Sequence, residues 1–208
     1  MKQTPKFFAA ITAILGWFAV AAQFYLIMQG RTLPVTETII KFLSYFTILT
    51  NIVAALGFTF TVFKKTGFFS RPGIQTAITV YIVVVGAVYN LVLRFLWNPQ
   101  GLQLWVDESL HTVVPLLGLL YWILFVPKST LKWKDSIVWM AFPIGYTVLI
   151  IIRGAISGYY PYPFIDVPEI GYPQALLNGG ILMLVFMGLS LFLIAIAKFI
   201  SRKQIKSL

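Results

Sequence analysis

The chain has one histidine, His111, and it lies inside a long apolar stretch. Asp107 and Glu108 stand four and three residues before it. Both spacings put a carboxylate on the histidine's face of a helix. There a carboxylate orients the imidazole and holds one tautomer, as the third member of a catalytic triad does. The competing reading is two acids facing water at a membrane interface. Imidazole moves protons near neutral pH. An ionisable group within a membrane span is costly and marks function first. Against that stands a ring that merely bonds a backbone carbonyl.

A proton acceptor needs a hydroxyl to act on. Ser44, Thr47 and Thr50 are the candidates, each requiring a base, and His111 is suited to that role. The rival use of such hydroxyls is a bond to the carbonyl four residues back or to a neighbouring helix. Asn51 or Asn90 can stabilise an oxyanion. Arg94 and Arg153 match a carboxylate or phosphate, or else snorkel from span ends. Cysteine is absent and there is no second histidine, so no metal site is expected. No G-x-S-x-G, H-E-x-x-H or Walker loop occurs, and no cofactor is expected. Gly154 and Gly158 form a G-x-x-x-G, which indicates packing at most.

The elements that must position these groups are membrane helices. Of 208 residues, 59% are hydrophobic and only 11% charged. A soluble domain carries about 25% charged residues, so lipid must cover much of this surface. A span needs about 20 apolar residues. Six stretches qualify, at 7–28, 39–63, 74–97, 106–126, 137–157 and 175–200, which predicts an all-α, single-domain bundle of six transmembrane helices over 1–208. Lys2, Lys6 and Ala19-Val20-Ala21 imitate a signal peptide, but the apolar run continues through Ile27, and the helix is expected to be retained.

The net charge of +10 follows topology and gives no reason to expect nucleic acid. Lys2, Lys6, Lys64, Lys65, Arg71, Lys128, Lys132, Lys134, Lys198, Arg202, Lys203 and Lys206 fall on one side. The other side holds Arg31, Lys41, Arg94 and Arg153, with five of the six acids. Excess Lys and Arg stay inside, so both termini are expected in the cytoplasm. Trp97, Trp105, Tyr159, Tyr160 and Tyr162 are expected at the outer interface, and Trp133 and Trp139 at the inner. With this orientation, Thr47 and His111 lie on the order of 8–12 Å below the outer boundary. The polar side chains all fall in the outer halves of the spans, and the inner halves read as almost purely apolar.

Three strings occur in order along these spans: KFLSYFTILTN at 41–51, LHTVVP at 110–115 and GYYPYPF at 158–164. Together, with six spans around them, they resemble the androgen-induced membrane protein family and its prokaryotic relatives. Eukaryotic members are threonine hydrolases that cleave fatty acid esters of hydroxy fatty acids with an intramembrane threonine and histidine. The resemblance implies His111 as the histidine. Matching the Phe-Thr step selects Thr47 as the threonine, and matching Lys-Phe-Leu selects Ser44; Thr47 is preferred. It also implies the cytoplasmic membrane of a prokaryote.

The expectation is an intramembrane hydrolase of a lipid-like acyl ester. Thr47 and His111 are catalytic, supported by Ser44, Asn51, Asn90, Arg94, Asp107 and Arg153, with membrane lipid and an amphipathic substrate as partners. The rivals are a small-molecule binding or transport protein without catalysis, an acyltransferase using the same pair, and a helix bundle without chemistry.

Overall fold

The computed structural model describes residues 3–63 and 67–206, with side chains at 4–63 and 67–202. Of the basic residues used for orientation, Lys2, Lys64 and Lys65 lie outside the described residues, as do the side chains of Lys203 and Lys206. Among the described residues the chain is all-helical. Five helical stretches are long and apolar enough to cross a membrane, or six if a pair bent at a short break is counted as one span. Large apolar side chains face outward along them, including Phe7 at 70% exposed, Leu184 at 73% and Ile156 at 83%. Such a surface fits a multi-pass integral membrane protein.

The chain divides into two compact units, 1–130 and 131–208. The first holds α1 (Gln3–Gln29), α2 (Val35–Phe42), α3 (Phe46–Val62), α4 (Pro72–Leu91), α5 (Leu102–Glu108) and α6 (Val114–Phe125). Between α5 and α6 runs one π-helical turn, Ser109–Val113. In lipid, helices associate by close packing and hydrogen bonds, because apolar burial gives no advantage there. Small residues at crossings serve this. A Cβ on Gly16 would stand 3.1 Å from that of Ala55, and one on Gly118 3.3 Å from Ile82. Ala19, Val20, Phe42, Ile48, Val106 and Leu110 form a core cluster joining α1, α2, α3, α5 and the π turn. Lys128 closes the end of α6, donating to the carbonyls of Trp122 and Val126 at 2.8 Å and of Ile123 at 3.0 Å.

Two expectations for this unit change. The stretch 39–63 is not one helix, because α2 and α3 meet at 73°. Tyr45 is extended at the break (φ −80°, ψ 125°), and the Ser44 hydroxyl bonds the Ile40 carbonyl at 2.5 Å, ending α2 with a side chain in place of continued helix. Thr47 therefore lies in the first turn of α3, not eight residues into a straight span. Nor are the span halves expected on the inner side almost purely apolar. Thr61, Gln75, Thr76 and Thr79 cluster between α3 and α4, with Gln75 donating to Thr61 at 3.4 Å and Trp122 to Thr76 at 2.9 Å. Thr61, Thr76 and Thr79 each also bond the carbonyl four residues back, which is how threonine hides polarity in a span.

The second unit holds α7 (Asp135–Trp139), α8 (Ala141–Ser157) and α9 (Val167–Lys206). Gly171 (φ 74°) and Pro173 break α9 near its start, which leaves the expected span at 175–200 as a continuous helix. Gly158 (φ 70°) ends α8 in the left-handed region, with its N–H on the Gly154 carbonyl at 2.8 Å. Ile150, Tyr160 and Ile165 form one core cluster. Tyr160 is packed inside the unit, only 6% exposed, because Gly154 has no side chain where its ring lies. A Cβ at 154 would meet that ring at 2.1 Å. Trp139 is likewise packed inside, at 4% exposed.

Candidate active site

α4, α5 and the π turn bring Tyr89, Asp107 and His111 together. The His111 ring stacks on the Tyr89 ring, with centroids 3.9 Å apart and planes 12° apart. The Tyr89 hydroxyl donates to Asp107 Oδ2. His111 Nδ1 lies 2.9 Å from the Asp107 backbone carbonyl and 3.4 Å from its Oδ1. A carbonyl only accepts, so Nδ1 carries the hydrogen. The neutral ring then presents Nε2 as its basic nitrogen. Asp107 is 3% exposed, and His111's side chain 12%. This is a ring fixed in plane, tautomer and direction, with a carboxylate placed to stabilise the imidazolium.

The choice between the two acids resolves here. Asp107 serves the ring, whereas Glu108 pairs with Arg94. Arg94 also donates to Asn90 Oδ1 and stands 5.9 Å from the Tyr89 ring centre. The arginine expected to receive a substrate carboxylate thus already holds an internal one. Arg153 belongs to the second unit, 5.4 Å from the Tyr159 ring centre.

The π turn explains the two asparagines. Val114 N–H bonds the Ser109 carbonyl, five residues back. The next residue, Pro115, has no N–H. The Leu110 carbonyl therefore loses both its four-residue and five-residue donors, and the His111 carbonyl loses its four-residue donor. Each unmatched carbonyl in hydrocarbon costs several kcal/mol. Asn51 Nδ2 donates to the Leu110 carbonyl at 3.2 Å and to the Thr47 carbonyl at 2.9 Å. Asn90 Nδ2 donates to the His111 carbonyl at 3.2 Å, the Gly86 carbonyl at 2.9 Å and Thr112 Oγ1 at 3.3 Å. Gly86 permits this approach, since a Cβ there would stand 2.9 Å from the His111 oxygen and 3.0 Å from Pro115 Cβ. Both amides expected at an oxyanion are thus committed to acceptors within the fold.

Of the three hydroxyls, Ser44 is committed to Ile40. Thr50 is fully buried with Oγ1 unpaired, as is Oδ1 of the fully buried Asn51. Thr47, 9% exposed, lies one turn before Asn51 on the same face of α3. That is the face on which α3 meets the π turn, through the Asn51–Leu110 bond.

The contact of Tyr89 with the ring joins α4 to the π turn and is not written in any local spacing. Pro115, four residues after His111, is the signal that was available, because a proline there strips the histidine's carbonyl of its helical donor. Among the described residues no group of His, Cys, Asp and Glu is arranged to hold a metal ion. No protein-family model, curated protein or solved structure matches the chain.

Proposed function

We propose that this chain is an intramembrane hydrolase of lipid-like acyl esters, crossing the bilayer six times with both termini cytoplasmic. The observation that carries the reading is the oriented Asp107–His111 pair, with Nδ1 occupied and Nε2 basic. Thr47 attacks the ester carbonyl through Oγ while His111 Nε2 takes its proton. The proton passes to the departing alcohol, leaving an acyl-threonine. Water then gives a proton to Nε2 and adds to the acyl carbon; Nε2 passes that proton to the threonine oxygen as the C–Oγ bond breaks, releasing the acid and restoring both residues. Thr47 sits in the first turn of α3, where the positive end of the helix dipole favours the developing negative charge. The family resemblance of the three strings adds the acyl ester as substrate class. The distribution of Lys and Arg supports the orientation.

The test is hydrolysis of a fatty acyl ester by the purified protein in detergent. Turnover by the wild type, lost in both Thr47→Ala and His111→Ala, is expected. Equal rates in all three would rule the mechanism out. No turnover, with a small molecule co-purifying and released by His111→Ala, would favour the binding-protein alternative.

A further inference from the structure

We propose that Asn51 and Asn90 are positioning residues for His111. Their amides stand in for the N–H that Pro115 lacks, and so hold the π turn in the register that aims the imidazole. For its kinetic consequences the inference rests on the hydrolase reading. Its structural half stands without it.

A proline in an α-helix clashes with the carbonyl four residues back, here that of His111. Widening to a π turn relieves the clash. The widening also turns the chain ahead of it by about 100° relative to a regular helix, one residue's worth of rotation. Asp107 and Glu108 lie on that leading side. In the observed register Asp107 reaches both Tyr89 and the His111 ring. If the extra residue slid elsewhere along the helix, the ring would leave the face of Tyr89. Two carbonyls are exposed by this choice of register, and each is met from a different helix: Leu110 by α3 through Asn51, His111 by α4 through Asn90. The turn is gripped from two sides.

Because His111 is the only histidine, a protein labelled with ¹⁵N-histidine reports one imidazole, and its shifts give the tautomer directly. The wild type in detergent is expected to show hydrogen on Nδ1 alone. Asn90→Leu is expected to give mixed tautomers and lower kcat by on the order of 100-fold, with KM little changed, as for a misplaced catalytic group. Asn51→Leu acts in the same direction. In a Pro115→Ala background residue 115 donates for itself, so adding Asn90→Leu should alter the rate by less than about threefold, a coupling only direct substitution produces. Folded Asn51→Leu and Asn90→Leu proteins with the wild-type imidazole spectrum would overturn the proposal. So would equal losses from Asn90→Leu with and without Pro115. Should the wild type cleave no ester, the hydrolase reading fails alone, and the tautomer series still decides whether the asparagines set the ring.

Discussion

The two units bury polarity differently. In the second, among the described residues, the buried polar side chains are Ser136 and Ser190. Each is spent nearby, on the Trp133 and Phe186 carbonyls, both at 2.7 Å. That unit packs by shape, with the Tyr160 ring lying against the bare backbone of Gly154. The first unit buries Thr47, Thr50, Asn51 and Asp107 within reach of an irregular turn. Beside hydroxyls spent on their own helix, as in the second unit, it has bonds that cross between helices: Asn51 to Leu110, Asn90 to His111, Tyr89 to Asp107. A helix that hides its hydroxyls on its own carbonyls needs no partner. A helix with orphaned carbonyls and a buried carboxylate does, and only a required geometry repays that cost.

The contrast breaks most sharply at His111. His111→Ala is expected to lower ester hydrolysis by about 1000-fold or more, because it removes the base assigned to the hydroxyl. Ser190→Ala, in the second unit, should leave the rate within about twofold, as a truncation that touches no working group. Comparable losses would dissolve the distinction between the units. Asp107→Asn is expected to cost less than His111→Ala, about 10-fold to 100-fold. The Asp107 backbone carbonyl still holds the hydrogen on Nδ1, so what is lost is the charge that steadies the imidazolium. A loss as large as that of His111→Ala would show that the carboxylate, and not the carbonyl, fixes the tautomer.

Gly154→Ala tests the other side. A Cβ there overlaps the Tyr160 ring, and overpacking of this kind costs about 1–3 kcal/mol. Thermal unfolding in detergent should show the loss, hydrolysis at low temperature should change little, and Tyr160→Ala should relieve the clash in the double variant. Additive losses would mean that the two residues do not share one packing site.

How much of this could be read in advance depends on the range of the interaction. Span positions need only local hydropathy, so the expected spans at 7–28, 137–157 and 175–200 fall within the apolar helical stretches Thr4–Gln29, Asp135–Ser157 and Val167–Arg202. The Asp107–His111 pairing is a four-residue spacing and was equally local. The break at Ser44 and Tyr45 was hidden, because its residues are as apolar in sum as those of a continuous span. The uses of Asn51 and Asn90 were hidden for another reason. Each amide answers a vacancy on a different helix, and the vacancy exists only once Pro115 and the π turn are combined. The burial of Tyr160 was hidden too, because it depends on the space a glycine leaves six residues earlier, not on hydropathy.

The smallest expected effect concerns the Arg94–Glu108 pair. Their side chains are 41% and 24% exposed, and pairs this open contribute about 0–1 kcal/mol to stability. Glu108→Gln should therefore leave unfolding nearly unchanged. Its consequence is chemical: the arginine loses its internal carboxylate while keeping Asn90 beside it. An ester bearing a free carboxylate should then bind more tightly, lowering KM with kcat held. A neutral ester of equal length should show no change. If both esters respond alike, Arg94 acts on the fold of the π-turn region and not on substrate charge. The polar end of the first unit would then have one less group facing outward for recognition.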